Sequence, residues 1–317
     1  MSGDAPGLPP GRYPDRDVGP DGVPGNRIQG GRDIGLWENR SFLIGKGGTM
    51  AEKAPFRVEK EGHVAWLILD RPEKRNCMTF DFFGGLIEHF GRLSEDPEVR
   101  VVVVQAEGKT FCAGLDLVEG AAILGDGSAS GREKTRWKIR WLQDCISAVE
   151  RCRKPVIAAV HGHCVGGGID LTSACDIRLA ARDAVFSIRE TRIGIVADVG
   201  TLQRFPTIVG QGLFRELALT GRDFTAEEAL RIGYVNRLYD DREALHQGAR
   251  ALAEEIAANP PMAVQGVKDS ILYNRDNGIF PGLDYVAQMN SAILPSKDLM
   301  EAVAAFMEKR KPNFVGD

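Results

Sequence analysis

The run Pro155-Val156-Ile157-Ala158-Ala159-Val160 leads through His161-Gly162-His163-Cys164-Val165 into Gly166-Gly167-Gly168, and then into Ile169-Asp170-Leu171-Thr172-Ser173-Ala174-Cys175. This order predicts a buried strand, a glycine turn and a helix. Three adjacent glycines let a backbone approach a ligand closely and aim unpaired N–H groups at it, which suits an oxyanion. The structural alternative is that they only permit tight strand–helix packing.

The same alternation recurs along the chain. Val64-Ala65-Trp66-Leu67-Ile68-Leu69 and Val101-Val102-Val103-Val104 are short β-rich apolar runs, and Phe83, Leu86, Ile87 and Phe90 recur at helical steps between Phe82 and Leu93. Strands alternating with helices imply an α/β core. Beyond about residue 240, Leu245, Ala249, Leu252, Ala253 and Ile256 mark an amphipathic helix closed by Asn259-Pro260-Pro261. Val264, Val267 and Ile271 predict a further helix, and Leu299, Val303, Phe306 and Met307 another. The expected division is a core over 50–255 and a helical region over 256–317.

Residues 1–49 hold 12 of the 37 glycines and 6 of the 16 prolines, with no apolar period. Such a stretch is expected to be a disordered tail, with Met50 as an alternative start. Its six acids, Asp4, Asp15, Asp17, Asp21, Asp33 and Glu38, do not suit a mitochondrial transit peptide. With no signal peptide or membrane-span pattern, and with Cys77, Cys112, Cys145, Cys152, Cys164 and Cys175 scattered without a CxxC pair, a cytoplasmic protein is expected. A formal charge of −4 with mixed signs gives no footprint for nucleic acid or an anionic membrane. His161 and His163 have no third ligand in view, so no metal is expected.

A second turn, Gly108-Lys109-Thr110-Phe111-Cys112-Ala113-Gly114-Leu115-Asp116, also follows an apolar strand and offers another backbone donor. It is not a phosphate loop, because Val103 stands where the earlier glycine is required. The Gly166–Gly168 run likewise lacks the G-x-G-x-x-G spacing. Three carboxylates accompany these turns: Asp170, Glu190 and Asp198. Burial in Gly194-Ile195-Val196-Ala197 would raise the Asp198 pKa, whereas a helix N-terminus would lower that of Asp170. Taken singly, each has a structural alternative: Asp170 and Asp198 as helix caps, Glu190 as a partner of Arg189 or Arg192.

Together these residues resemble the crotonase, or enoyl-CoA hydratase/isomerase, superfamily from about Phe56 to Phe314. The motifs are Arg71-Pro72-Glu73-Lys74-Arg75-Asn76, Phe111-Cys112-Ala113-Gly114-Leu115-Asp116, Lys154 to Gly162, Gly166-Gly167-Gly168 and Thr201-Leu202-Gln203-Arg204. The resemblance implies a spiral of ββα turns, a C-terminal helical region making subunit contacts, and a homotrimer or homohexamer. It implies oxyanion donors at the Ala113 and Gly167 N–H groups. An acyl-CoA thioester is expected along Lys74, Arg75 and the turn Cys112, Ala113, Gly114, Leu115 and Asp116, with Lys309 or Arg310 near a phosphate. Coenzyme A is then part of the substrate and no separate cofactor is expected.

Hydratases of that superfamily carry glutamate at both the Asp170 and Glu190 positions and glycine at the Asp198 position. This chain is more similar to the Δ3,5-Δ2,4-dienoyl-CoA isomerase branch, through Asp170, Glu190 and Ala197-Asp198-Val199-Gly200-Thr201-Leu202-Gln203-Arg204. The resemblance implies proton transfer by Glu190 and Asp198, with Asp170 tuning Glu190. Hydration of 2-enoyl-CoA is the nearest rival, and a non-catalytic or RNA-binding scaffold a more distant one.

Overall fold

A computed structural model describes residues 54–317, so the expected tail over 1–49 lies outside the described residues. The strands are β1 (Phe56–Glu61), β2 (Val64–Leu69), β3 (Val101–Ala106), β4 (Thr110–Cys112), β5 (Val156–Val160), β6 (His163–Val165), β7 (Ile177–Ala181), β8 (Val185–Ser187), β9 (Asp223–Thr225) and β10 (Arg237–Tyr239). One six-stranded sheet runs β1-β2-β3-β5-β7-β10, and a four-stranded sheet runs β4-β6-β8-β9. Each of the pairs β3–β4, β5–β6 and β7–β8 places its first strand in the larger sheet and its second in the smaller one. This is the expected spiral of ββα turns. All inter-strand pairings are parallel except β1 with β2 and β8 with β9.

The large sheet is covered on both faces, which is why its strands read as unbroken apolar runs. In β2, Ala65, Leu67 and Leu69 enter one core. Val64, Trp66 and Ile68 enter the other. The first core is closed by α1 (Phe80–Glu95), which buries Phe82, Phe83, Leu86, Phe90 and Leu93 and is capped by the Thr79 hydroxyl. A four-residue turn α2 (Leu117–Gly120) follows, and then α3 (Ala129–Arg151) packs beside α1.

The glycine triplet opens α4 (Gly167–Ser173), buried along its whole length. Next come α5 (Thr201–Ile208), α6 (Gln211–Thr220) and α7 (Ala226–Arg231). The second core is sealed by α8 (Arg242–Ala257), whose Leu245, Ala249, Ala253 and Ala257 lie against the sheet. The change of region expected at residue 256 thus falls within the last turn of α8.

Three further helices are α9 (Pro261–Asn277), α10 (Ile279–Ile293) and α11 (Lys297–Glu308). The apolar stripe that predicts α11 stays open to solvent, with Phe306 81% and Met307 75% exposed. Among the described residues no helix is long and apolar enough to cross a membrane.

Candidate active site

Two glycine turns meet at the end of the smaller sheet. Gly114 has φ +86°, and a Cβ there would lie 2.9 Å from the Val165 carbonyl and 3.5 Å from the Gly167 nitrogen. A Cβ on Gly167 would sit 2.6 Å from the Met78 sulfur. Bare backbone therefore faces bare backbone, as an oxyanion site requires. Gly167 is the first residue of α4, where an N–H has no partner inside the helix.

The second expected donor moves by two residues. The Ala113 N–H is already donated to the Arg75 carbonyl at 3.1 Å, so it is committed to holding the turns together. Leu115 forms an isolated parallel bridge with Met78, made by Met78 N–H to Gly114 O and Asp116 N–H to Met78 O. In such a bridge the central residue's own N–H points away from its partner. Leu115, not Ala113, thus presents a backbone donor beside Gly167.

The rest of the expected CoA strip has mixed fates. Lys74 ends an exposed 3-10 turn and Arg75 follows it in a left-handed conformation. Cys112 is wholly buried, and its sulfur accepts the Gly114 N–H at 3.4 Å. Asp116 caps α2 by accepting the Val118 and Glu119 N–H groups and a bond from the Cys77 thiol, so its carboxylate serves the turn. Arg310 is engaged by Glu301 at 2.6 and 2.8 Å and by Glu308, which commits its charge within the chain. Lys309 ends α11 as its left-handed cap. Among the described residues no cluster of three or more His, Cys, Asp or Glu side chains could hold a metal. His161 bonds the Gly108 carbonyl, and His163 is exposed.

The three acids come together, and none takes its structural alternative. Asp170 lies inside the first turn of α4, whose cap is Gly166. Its Oδ1 accepts the Thr201 N–H at 2.6 Å and the Thr201 hydroxyl at 2.7 Å. Burial, with help from the nearby Glu190 charge, pushes its pKa up to about 7 against the pull of those two bonds. The expected lowering by the helix N-terminus is overridden, because desolvation of a wholly buried carboxylate exceeds a half-charge of dipole.

Glu190 is also buried, and its Oε2 has no hydrogen-bond partner. Arg189 is paired with Asp223, and Arg192 donates to the Thr220 carbonyl, so neither neutralises it. Burial raises its pKa, and the charge of Asp198 adds to the rise. Its Oε1 lies 3.2 Å from where a Cβ on Gly166 would stand, so the glycine triplet also makes room for this carboxyl.

Asp198 does not cap α5, because the cap position is held by Gly200, which offers no side chain. It sits between buried Ala197 and Val199, while Ile195 and Val196 are exposed. Asp198 is an exposed residue overall, yet its carboxyl is crowded enough by protein for desolvation to raise its pKa. The Gln143 side-chain amide of α3 fixes its carbonyl at 2.7 Å. Thr201 and Gln143 are site residues that sequence reasoning missed, and Leu115 is expected from sequence only along the coenzyme A strip, with Ala113 in the donor role. Thr201 and Leu115 each stand in a quoted motif, whereas Gln143 carried no signal.

Known proteins share this chain's sequence and fold over most of its length. Residues 59–317 match the family described as Enoyl-CoA hydratase/isomerase. The chain is 45% identical over 263 residues to a peroxisomal Delta(3,5)-Delta(2,4)-dienoyl-CoA isomerase of Arabidopsis thaliana, covering 81% of this chain and 95% of that one. It is 44% identical to the mitochondrial Delta(3,5)-Delta(2,4)-dienoyl-CoA isomerase of Mus musculus, covering 78% and 77%. The crystal structure of an enoyl-CoA hydratase from Bacillus anthracis superposes with a TM-score of 0.77 at 32% identity, over 83% of this chain and 100% of that one. The names of the isomerases place them in peroxisomes or mitochondria, which corrects the expectation of a cytoplasmic protein. By the extent of these matches, the chain belongs to the enoyl-CoA hydratase/isomerase family.

Proposed function

We propose that this protein isomerises 3,5-dienoyl-CoA to 2,4-dienoyl-CoA in fatty acid β-oxidation. The observation that carries this reading is the grouping of three under-neutralised carboxyls, Asp170, Glu190 and Asp198, each with a raised pKa. Moving the diene takes a proton from C2 and delivers one to C6, so two acid/base groups must serve separated points of one chain. Glu190 and Asp198 take those ends. Asp170 sits close enough to Glu190 to adjust its ionisation. Leu115 and Gly167 donate to the thioester oxygen as it gains enolate charge, and each such donor is worth about 3 kcal/mol.

The substrate brings its own coenzyme A, held along the Lys74–Arg75 turn and the Gly114–Leu115 turn, with no other cofactor. A homotrimer or homohexamer is supported by the apolar side chains that the C-terminal helices leave uncovered, among them Ile271, Phe280, Val303 and Phe306. Hydration of a 2-enoyl-CoA is the rival, and it leaves Asp198 without a task.

The deciding experiment assays wild type and Asp198→Asn on a 3,5-dienoyl-CoA and on a simple 2-enoyl-CoA. Loss of about 10²–10⁴ in diene isomerisation by a folded variant is expected for a general acid or base. A wild type that mainly hydrates, with an unaffected variant, would make the protein a hydratase and Asp198 structural.

A further inference from the structure

Isomerisation by two carboxyls leaves a debt that the reaction itself does not settle. One carboxylate accepts the C2 proton and ends protonated, while the other carboxylic acid gives its proton to C6 and ends ionised. Before the next substrate can react, the first must lose a proton and the second must regain one. The route is water, or direct return between the two acids.

The two acids differ in access. Glu190 has its Oε2 buried without a partner. Asp198 lines a cleft of about 350 Å³ that lies between α3, α5 and α9. The cleft opens past Gln203 and Asp276, both exposed, and its inner wall is an ion array. Glu150 of α3 receives Arg204 of α5 at 3.1 Å and Arg275 of α9 at 2.5 Å. Arg204 also donates to the Ser147 hydroxyl at 2.9 Å, while its Nε is buried with no partner. The charged groups around Asp198 are thus Asp170 and Glu190 on the substrate side, and Glu150, Arg204, Arg275 and Asp276 on the cleft side.

A cleft with this lining suits water rather than an acyl chain, because its charged side chains are costly to leave dry. The array also bears on the acids mechanically. A Cβ on Gly200 would lie 1.9 Å from Arg204 Nη1, so the guanidinium lies flush on the turn that carries Asp198 and precedes Thr201.

We propose that this cleft is the port through which Asp198 trades its proton with solvent between turnovers, with the Glu150–Arg204–Arg275 array keeping it wet and in register. The inference rests on the reading of Asp198 as an acid/base. With Asp198 as the acid that gives its proton to C6, water carries a proton back to Asp198, and the acid group, now reset, meets the next substrate. No oxidant or further reactant is needed.

The test runs the isomerisation of a 3,5-dienoyl-CoA in D2O and reads deuterium at C6 of the product by mass spectrometry. Wild type is expected to deliver close to one deuterium per product. Gln203→Trp at the cleft mouth and Ser147→Leu at its wall are expected to lower that label at least threefold. Turnover continues in both, because the substrate's own proton is then returned internally. Should Ser147→Leu fail to fold, Gln203→Trp decides alone. Wild-type label in a folded Gln203→Trp variant, or a wild-type product without deuterium, overturns the port. Asp198→Asn separates the two levels: full turnover in that variant overturns the acid/base reading itself, whereas its inactivity together with wild-type label in Gln203→Trp overturns only the port.

Discussion

The two halves of the candidate site are built from opposite materials. The Gly114–Leu115 and Gly166–Gly167 turns offer backbone N–H groups, placed by the register of two short strands and by the absence of side chains. The acid half is all side chain, and its chemistry comes from what surrounds it: burial, mutual repulsion and the two bonds from Thr201. The backbone half should therefore tolerate nothing that changes its shape and be indifferent to side-chain chemistry. The acid half should respond gradually, through pKa.

The largest effect is expected where shape is altered. Gly167→Pro removes the N–H and drives a ring toward the Met78 sulfur, which a Cβ alone would approach to 2.6 Å. A loss of about 10³-fold in kcat is expected from removing one oxyanion donor. Steady-state rates on a 3,5-dienoyl-CoA, with circular dichroism to confirm folding, would check it; near-normal turnover in a folded variant would refute the placement of the donor at Gly167.

A graded effect is expected in the acid half. Thr201→Val deletes the hydroxyl bond to Asp170 but leaves the backbone one. Losing a bond to the charged form lets the Asp170 pKa climb further, by about one unit. The limb of the kcat–pH profile that follows Asp170 should move to higher pH by that amount, with activity at neutral pH falling by about tenfold or less. An unmoved profile would show that Asp170 is not coupled to turnover.

This contrast also explains how much could be read in advance. The strands β2, β3 and β5 are legible because both faces of the large sheet are buried, so each strand is an apolar run. Helix α1 is legible from its three- and four-residue steps. Asp170, Glu190 and Asp198 stand beside recognisable turns. The bonds between Asp170 and Thr201 span 31 residues and leave no local trace. Leu115 is hidden for another reason: its exposure of an N–H depends on a bridge to Met78, and register cannot be seen in one strand alone. The short strands β4, β6 and β8 have three residues each, too few to show a period.

A third effect is on stability and has a fixed sign. Folding raises the Asp170 pKa from its ordinary value near 3.8 to about 7. The native state thus holds that proton more tightly than the unfolded chain, so this group's penalty is absent below about pH 4 and grows as pH rises through about 7. Asp170→Asn keeps an oxygen for the two Thr201 donors and cannot ionise. It should stabilise the protein at pH 8 by about 2–4 kcal/mol and change it far less at pH 4. Urea unfolding at the two pH values measures this, and equal effects at both would show that burial of charge is not what strains the site.

The smallest effect is the one that most sharply separates the halves. Leu115 is only half-buried and its proposed contribution is an N–H, which every residue except proline possesses. Leu115→Ala should therefore keep kcat on a 3,5-dienoyl-CoA within about twofold, since the donor and the flanking bridge to Met78 persist. Leu115→Pro, which deletes the donor, should fall toward the Gly167→Pro level. If alanine were instead as damaging as proline, the Leu115 side chain would carry the effect. The oxyanion half would then depend on side chains after all, and the division between a backbone half and a carboxyl half would fail at its defining residue.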